Sequence, residues 1–557
     1  MKKLFAMLLA LTLSVSLLAG CGGKDDRPAD TKAAGESQTE AADAGKEEGK
    51  AEGKTTFTIA LDSDIVALDP AFAYDFTTNP VVNQITQGLL TFDENNELIP
   101  QLASSWEATD DTTYVYQIRD DVTFSDGSPM TMDDVLFSIE RIMNPDTASY
   151  LLWMFDNVES VEQTGDWELT IHLKEASASW KYIMATTAGH VISKAHYEAN
   201  QDSFGTAEGG LMGTGPYVFD SWTSGQEIVL KRNENYWDKN QTIAMDTLVF
   251  KIIPEDTTRV TALQTGEVDF TANTPADLLD TLKSDENLNV QDVETMGVVF
   301  LAFNTERAPF NDVNVRKAVA SAIDLKSIHD NIVKDAGQEG GCMPNSATLF
   351  TINPDEWISY VEGAEACTYD VTEAKNYLAQ SDYAGGFDCT MIISEDSMRY
   401  SMALAIQEYL KELNINVELV KVSADEHTSY QFGGIFDEDG NRDYDMIMAG
   451  WEADYPDVAS NIEPLFAAYN AGEGGSNSAV YQNDEVDALI KKQSASLDDA
   501  ARNQDLFAVM DQVNADTPYV FLTYPNRQAT MNKAFTGYTM SPSWLWNMFF
   551  KDIRPAE

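Results

Sequence analysis

The chain has 557 residues, 43% of them hydrophobic and 10% aromatic, so it has the composition of a globular protein and the length of two or three domains. Its formal net charge of −55 argues against nucleic acid as a partner, because phosphate binding needs clustered Lys and Arg. Acidity of this kind keeps a protein soluble and does not by itself indicate a fold.

Residues 1–20 are arranged as a secretory signal peptide, with two lysines ahead of a continuous apolar run. The run ends at Leu18-Ala19-Gly20-Cys21, which resembles the lipobox of bacterial lipoproteins. This resemblance implies a diacylglyceryl group on the sulfur of Cys21, and two acyl chains suffice for stable membrane anchoring. The alternative is an ordinary secreted protein with a chance cysteine.

Residues 21–54 form a polar segment without aromatic residues. Such a segment cannot bury enough apolar surface to offset the entropy of ordering, so we expect a disordered tether that spans roughly 30 Å. The first β-like run, Thr56 to Leu61, marks the beginning of the folded structure.

Three further cysteines follow, which is an odd number for an exported chain. Cys342 and Cys367 could close one disulfide. Cys389 lies in the apolar run Phe387 to Ile393, where a buried thiol is expected. The absence of a CxxC pair makes a metal site built from these cysteines improbable.

β-like runs alternate with helical segments from Thr55 onward, which predicts an α/β or α+β architecture. Thr131 and Asp134 have the spacing of a capping box and open a helix that ends at Asn144-Pro145. A second helix opens at Pro254-Glu255-Asp256 and has Gly266 as its C′ residue.

Two further helices are predicted after residue 300, one capped at Asn311-Asp312 and one over Asp498 to Asn514. Extended runs at Val298 to Asn304 and Tyr519 to Tyr524 precede the first and follow the second. If both runs cross between lobes, the chain from about 304 to 520 forms one lobe inserted into the other.

Motifs of the common hydrolases and nucleotide-binding enzymes are missing, since the chain has no GxSxG, HExxH or GxxxxGK[ST]. Asp437 to Asp443 resembles a calcium loop, but its sixth and twelfth positions hold Arg442 and Met448 instead of Gly and Glu, so a polar hairpin turn is the better interpretation. We therefore expect neither a metal nor catalysis.

Gly213-Thr214-Gly215-Pro216-Tyr217 lacks the third glycine and the helix of a dinucleotide fold, which disfavours a bound cofactor. Its two glycines instead permit a tight turn or a close approach of the backbone to a ligand.

The segment GWEADYPDVAS, Gly450 to Ser460, places Asp454 between Trp451 and Tyr455. A second acid, Asp457, has the position of a turn or capping residue. An acid framed by large rings is unusual for a solvated surface, so Asp454 is the more informative of the two.

An ordered set of short segments resembles extracellular solute-binding protein family 5, the binding proteins of peptide ABC transporters. The match extends over nearly everything from Thr56 to the C-terminus, and the ordered set is far more specific than any member of it. The segments are Ala67-Leu68-Asp69-Pro70, Gln87-Gly88-Leu89-Leu90, 99–106, 114–119, Val122 to Gly127, Asp133-Asp134-Val135, Gly213 to Tyr217, 232–237, 263–269, Leu301 to Thr305, 315–318, Ala322-Ile323-Asp324, Gly450-Trp451 and Asp454 to Asp457.

This resemblance implies a periplasmic-binding-protein-like fold of type II, in which two lobes close about a hinge on an enclosed ligand. Lobe one is then residues 55–300 with a return at 525–557, and lobe two is residues 301–524. An extra subdomain inserted in lobe one is expected at 91–210. The resemblance also implies a monomer that captures short peptides and delivers them to ABC permease subunits.

In oligopeptide-binding relatives, the acid at the position of Asp454 pairs with the amino terminus of the peptide. We therefore expect Asp454 to contact the ligand ammonium, with Trp451 and Tyr455 as pocket walls. The backbone of Gly450 to Glu452 and of Gly213, Thr214 and Gly215 is expected to bind the peptide as an added strand. The sequence departs from the family at Val458, where proline is common.

Weaker candidates are Tyr74 and Phe76, in a loop that faces the cleft in relatives, although a place in the core is an equal alternative for each. Asn304 is another, and it could instead serve the crossover. Arg399 and His427 could meet a ligand carboxylate, and surface placement is an equal alternative. Two other functions stay open. One is the capture of another solute, such as an oligosaccharide or nickel chelate, on the same fold, and the less favoured one is an exported hydrolase.

Overall fold

The computed structural model describes residues 55–272, 274, 278–341, 354–363, 368–438, 440–543 and 545–557. Cys21, the predicted signal peptide and tether, and the predicted Cys342–Cys367 disulfide lie outside the described residues. Within the described ranges, no helix combines the length and the apolar character that a bilayer crossing requires.

The strands of the described chain, in order, are β1 (Thr56–Leu61), β2 (Gln87–Gly88), β3 (Leu90–Phe92), β4 (Leu98–Pro100), β5 (Ala103–Asp110), β6 (Thr113–Ile118), β7 (Val158–Gly165), β8 (Glu168–Leu173), β9 (His190–Val191), β10 (Tyr217–Thr223), β11 (Glu227–Arg232), β12 (Thr247–Ile252), β13 (Phe270–Thr271), β14 (Leu288–Glu294), β15 (Gly297–Phe303), β16 (Gly337–Glu339), β17 (Phe387–Ile393), β18 (Ile415–Lys421), β19 (Met446–Glu452), β20 (Tyr519–Asn532), β21 (Phe535–Thr536) and β22 (Arg554–Pro555).

The α-helices of the described chain are α1 (Thr78–Ile85), α2 (Met132–Met143), α3 (Trp180–Ile183), α4 (Lys194–Ala199), α5 (Asp256–Thr265), α6 (Leu279–Lys283), α7 (Val313–Ala322), α8 (Leu325–Ile328), α9 (Pro354–Gly363), α10 (Val371–Leu378), α11 (Ser397–Leu410), α12 (Ala424–Gln431), α13 (Ala459–Phe466), α14 (Asp484–Ser494) and α15 (Asp499–Asp516).

One mixed sheet runs through the folded unit in the order β10-β11-β12-β1-β13-β20-β15-β19-β17-β18, and β14 and β16 also pair with β20. The long strand β20 is shared between two halves of this sheet. Its segment Asn526–Asn532 pairs with β14, and its segment Tyr519–Thr523 pairs with β15. We call the half built on β1 and β10 to β14 lobe one, and the half built on β15 to β19 lobe two.

The chain passes between these halves twice, once at 295–296, where β14 ends and β15 begins, and once within β20 near Tyr524. The predicted lobe limits at 300/301 and 524/525 lie close to these two passages. The division into lobes at those residue numbers stays a prediction.

A separate antiparallel sheet, with strand order β5-β6-β8-β7, lies in the part of lobe one where the inserted subdomain is predicted. The buried side chains of Tyr116, Ile139 and Trp180 join this sheet to α2 and α3 in one apolar core. Because the insertion has an apolar core of its own, it can form one wall of the cleft.

Several local predictions are confirmed. Thr131 and Asp134 form a reciprocal capping box at the start of α2, and Gly266 ends α5 with a left-handed φ of 74°. Asp312 and Asp498 are the N-caps of α7 and α15. Each of these features depends on residues within one helical turn, which is why the sequence alone indicates it.

Cys389 is a free, buried thiol on β17, as expected, and burial raises its pKa to about 12. The predicted polar turn is also confirmed, because Phe436 and Arg442 form an antiparallel bridge that closes a hairpin. The backbone N–H of Asp437 donates to the carbonyl of Asn441 within it, at 2.8 Å.

Candidate functional site

A cavity of about 660 Å³ lies where the inserted subdomain of lobe one faces lobe two. The subdomain contributes residues from α3 and from a short 3-10 helix, Leu152–Phe155. Lobe two contributes the loop after β19 together with α13. Aromatic side chains make up much of the wall: Tyr74, Trp153, Trp180, Phe432, Trp451, Tyr455 and Tyr469. A cavity of this size with apolar walls and a few polar groups is typical of a small-molecule site.

The loop that follows β19 is held in place by Ser460, the second residue of α13. The backbone N–H of Asp454 donates to Ser460 Oγ at 2.9 Å, and Trp451 Nε1 donates to the Ser460 carbonyl at 2.9 Å. The indole N–H of Trp546 donates to the carbonyl of Asp454 from lobe one. These bonds fix the backbone of Asp454 independently of its carboxylate.

The carboxylate of Asp454 is buried and lines the cavity, with 6% of the residue exposed. The hydroxyl of Tyr74 donates to its Oδ1 at 2.5 Å. Burial raises the pKa of Asp454 to about 6, although the Tyr74 hydrogen bond acts in the opposite direction. Burial and the adjacent Asp454 carboxylate raise the pKa of Tyr74 as well, so the phenol stays protonated and remains a donor.

One ring contact joins the two lobes beside Asp454, and further ring contacts hold Tyr74 within lobe one. Tyr455 stacks on Tyr182 of the inserted subdomain with ring centroids 5.3 Å apart and an interplanar angle of 11°. Tyr74 stacks on Trp546 at 6.0 Å and meets the edge of Trp153 at 6.4 Å. The predicted wall residues Trp451 and Tyr455 are therefore brought together with Asp454 and Tyr74.

Asp457 is fully buried and plays a different part from Asp454. Its Oδ1 accepts from the N–H of Ala459 at the start of α13, as a turn-forming acid would. Both carboxylate oxygens also accept from Arg502 Nη2, at 2.9 and 2.8 Å. Val458 has φ −55°, an angle that proline also adopts, so the departure from the family leaves this backbone angle unchanged.

Gly450 allows Arg399 to lie close to β19. A Cβ at Gly450 would stand 2.9 Å from Arg399 Nη2, and the Gly450 carbonyl already accepts a bond from Gln431 Nε2 at 2.7 Å. Burial lowers the pKa of Arg399, and the positive charge of Arg527 lowers it further. Among the described residues, no carboxylate lies within ion-pair distance of Arg399.

Glu452 lies at the lobe passage, where a Cβ at its strand partner Gly297 would collide with the Glu452 carboxylate. Burial raises the pKa of Glu452 to about 7, against the opposing effects of Arg527 and Thr295. His427 is buried and does not line the cavity, and its Nε2 bonds to the Met448 carbonyl at 2.9 Å.

The structure does not bring Gly213, Thr214 and Gly215 to the cavity. A Cβ at Gly213 would lie 2.3 Å from the Ile85 carbonyl, so these glycines permit close packing on the end of α1. Thr214 is fully buried, and its hydroxyl donates to Gln87 Oε1 at 3.1 Å.

Asn304 also lies away from the cavity, at the opposite end of β15 from the passage at Gly297. Its Nδ2 donates to the carbonyls of Arg442 and Tyr444, at 3.1 and 3.0 Å. Asn304 therefore organises a loop of lobe two.

The sequence did not indicate Tyr182, Glu463, Tyr469, Arg502 or Trp546 as site residues. Tyr182, Arg502 and Trp546 reach the supporting loop through contacts distant in sequence, whereas Glu463 and Tyr469 line the cavity directly and bond to each other six residues apart. An isolated Trp or Glu has no local signature of such a position. A count of aromatic residues alone would not separate them from core residues.

The family model of bacterial extracellular solute-binding proteins, family 5 (Middle), matches residues 97–473. The probable D,D-dipeptide-binding periplasmic protein DdpA of Escherichia coli K12 is 27% identical over 504 residues, which are 88% of this chain and 92% of that protein.

Two solved structures have the same fold. The periplasmic binding protein DppA of Helicobacter pylori, in complex with the peptide STSA, gives a TM-score of 0.74 at 24% identity, covering 90% of this chain and 98% of DppA. NikZ of Campylobacter jejuni, in complex with Ni(L-His), gives 0.73 at 24% identity, covering 90% and 99%. The predicted α/β fold of the type II periplasmic-binding-protein kind, with two lobes, is confirmed.

Proposed function

This chain belongs to family 5 of the bacterial extracellular solute-binding proteins, and we propose that it captures short peptides between its lobes for delivery to an ABC permease. The observation that carries the proposal is Asp454, a buried carboxylate in the interlobe cavity, whose described lining residues include no Lys, Arg or His. Homologues in this family are binding proteins, which agrees with a role without catalysis.

The environment of Asp454 suits a cationic ligand. Burial raises its pKa to about 6, which means that the ionised form lacks a sufficient counter-charge in the ligand-free protein. A peptide ammonium in the same cavity would supply that charge and would itself lose its hydration shell. Each ion then compensates the desolvation of the other, whereas either one alone would be unfavourable by several kcal/mol.

Arg399 supports a second polar contact for the same ligand. Its guanidinium contacts Gly450, four residues before Asp454, and it is mostly buried. Arginine binds carboxylates in a two-pronged geometry, so Arg399 is suited to the peptide carboxyl terminus. Arg399 lies on α11 beside β19 and outside the residues that line the cavity, so it would reach the carboxyl terminus of a peptide that extends from the cavity along β19.

The cavity volume of about 660 Å³ lies within the range of about 300–1,000 Å³ that is typical of sites for small ligands. A few residues of peptide fit such a volume. The Tyr74–Asp454 and Tyr182–Tyr455 contacts between the lobes describe a closed arrangement, as expected of a protein that encloses its ligand.

The mature protein is proposed to be lipid-anchored through Cys21 and to act as a monomer outside the cytoplasm. The support is the lipobox-like sequence that ends at Cys21, together with the polar segment that follows it.

A second candidate is the capture of a non-peptide solute. The similarity to NikZ, solved with Ni(L-His), favours this alternative, as does the large share of aromatic residues in the cavity wall. The buried carboxylate of Asp454 disfavours a neutral sugar as the ligand, because a neutral ligand would leave the buried charge uncompensated.

Native mass spectrometry of the protein purified from its host tests the proposal. Bound intact peptide supports it, a bound non-peptide supports the alternative, and cleaved peptide after incubation would indicate a hydrolase. Calorimetric titration with di- to pentapeptides then measures the affinity directly.

A further inference from the structure

Glu463 is a second acid in the interlobe cavity, on α13 and nine residues after Asp454. Its carboxylate accepts a hydrogen bond from the hydroxyl of Tyr469, whose ring is 66% exposed. Burial raises the pKa of Glu463, and the nearby charge of Asp457 raises it further. Glu463 is thus a partly buried carboxylate held by a neutral partner.

Tyr455 links Glu463 to the Asp454 site. Tyr455 directly follows Asp454 in the chain, lines the same cavity as both carboxylates, and is held there by stacking on Tyr182. Burial raises the pKa of Tyr455, and the negative charges of Glu463 and Asp454 raise it further. A ligand whose ammonium contacts Asp454 can therefore extend a side chain past the Tyr455 ring towards Glu463.

The charges around the cavity are of one sign. The described residues that line it include Asp156, Asp454 and Glu463 but no Lys, Arg or His. Asp156 is exposed at the rim, and only the other two are withdrawn from solvent. Two separate carboxylates, one buried and one partly buried, exceed what a single ammonium can compensate.

The aromatic wall suits a cation as well as an apolar stem. Tyr455 and Tyr469 flank Glu463, and the carbon chain of a lysine or arginine packs well on such rings while its charged group faces a carboxylate.

We propose that Glu463 forms a second cation subsite, so that the preferred ligands are peptides with a lysine or arginine side chain near the amino terminus. This inference rests on the proposed peptide-binding function and names the substrate class for the same cavity.

The test compares tripeptides that carry lysine at the first or second position with the same peptides carrying Nε-acetyl-lysine. Acetylation removes the charge and keeps the stem. By isothermal calorimetry we expect the wild-type protein to bind the lysine peptide at least about tenfold more tightly at one of these positions. Glu463→Gln should reduce this preference to less than about threefold and leave the affinity for the acetylated peptide unchanged.

Glu473→Gln is the matched control, because Glu473 is an exposed glutamate of the same lobe that does not line the cavity. It should keep the lysine preference, and loss of the preference in this variant would assign the effect to the general acidity of the protein and overturn the proposal.

Equal affinities of the wild-type protein for the lysine and acetyl-lysine peptides would overturn the Glu463 subsite while leaving peptide binding intact. Failure to bind any of these peptides would instead count against the proposed function. The wild-type comparison needs no variant, so the subsite remains testable even if Glu463→Gln fails to fold.

Discussion

The hydroxyl of Tyr74 in lobe one donates to the carboxylate of Asp454 in lobe two at 2.5 Å. This bond joins the two lobes across the cavity and gives a buried acid its side-chain hydrogen bond. The neutral phenol of Tyr74 satisfies the carboxylate as a hydrogen-bond acceptor but does not neutralise its negative charge. The ionised carboxylate therefore still favours the binding of a cation.

Replacement of Tyr74 by Phe is predicted to raise the pKa of Asp454 above its value of about 6, because the hydrogen bond that favours the ionised form is lost. The pH below which peptide affinity falls should then move upward, which calorimetric titrations between pH 5 and 9 can measure. Tyr150→Phe, at an exposed tyrosine of lobe one, is the control and should leave the profile in place. An unmoved profile in Tyr74→Phe would contradict this role.

Peptide affinity of the wild-type protein is predicted to be greatest near pH 7, to fall by up to about tenfold per pH unit below about pH 6, and to fall again above about pH 8, where the peptide amino group itself loses its proton. A bound ammonium favours the ionised form of Asp454, so binding to the protonated form must release a proton. Asp454→Asn should lack this dependence. Glu452, with a pKa of about 7, is another nearby carboxyl whose pKa is raised, and Glu452→Gln tests whether it contributes.

Asp454→Asn is predicted to stabilise the ligand-free protein at pH 8. The folded-state pKa of about 6 lies above the ordinary value of 3.8, so the folded protein keeps a proton that the unfolded chain has already lost. The ionised carboxyl therefore lowers the free energy of unfolding above about pH 6, and this penalty disappears below about pH 4.

Urea unfolding of the ligand-free protein should show a gain of about 1–3 kcal/mol for Asp454→Asn at pH 8 and little change at pH 4. Asp156→Asn, at the exposed rim, should change neither value. A loss of stability in Asp454→Asn at pH 8 would mean that the carboxylate is well compensated without a ligand.

The buried ion pair between Asp457 and Arg502 is predicted to stabilise the loop between β19 and α13, which carries Asp454. Arg502→Met leaves Asp457 buried without its partner and should lower the free energy of unfolding by about 3–5 kcal/mol. Adding Asp457→Asn should restore part of this loss, since no uncompensated charge then remains. Chemical denaturation of the two variants would contradict the prediction if the single variant were as stable as the wild type.

Gly213→Ala is predicted to weaken lobe one without weakening peptide binding. Its Cβ would stand 2.3 Å from the Ile85 carbonyl, and relief of such an overlap by backbone shifts typically costs about 1–3 kcal/mol. Gly385→Ala is the control, because nothing lies within 4 Å of a Cβ there. If the Gly213→Ala protein folds but binds peptide clearly more weakly, the prediction is contradicted and the segment Gly213 to Gly215 belongs to the binding site.

Local sequence patterns predicted the parts of the fold that local chemistry determines. The capping box of α2 and the left-handed Gly266 need no distant partner, so a few residues suffice to indicate them. Strand β20 was predicted only as far as Tyr524 and continues to Asn532, because pairing with β14 keeps a polar stretch extended. No local sequence pattern indicates that β14 and β20 pair with each other.

The same distinction separates the predicted site residues. Asp454, Trp451, Tyr455 and Tyr74 meet at the cavity, and the family motif predicted the first three. Trp546 and Arg502 approach this loop from 92 and 45 residues away, and neither has a neighbour in sequence that indicates the contact. Gly213 fits either a ligand or a packed helix, and only the position of α1 decides between them.

The most direct test of the central claim compares peptides that have a free amino terminus with their N-acetylated forms, by calorimetry at pH 7.5. If Asp454 is the counter-charge for the ligand ammonium, acetylation should weaken binding by at least about 30-fold, and Asp454→Asn should abolish most of this difference. Equal affinities for the free and acetylated peptides, or unchanged binding of the free peptide by Asp454→Asn, would contradict it.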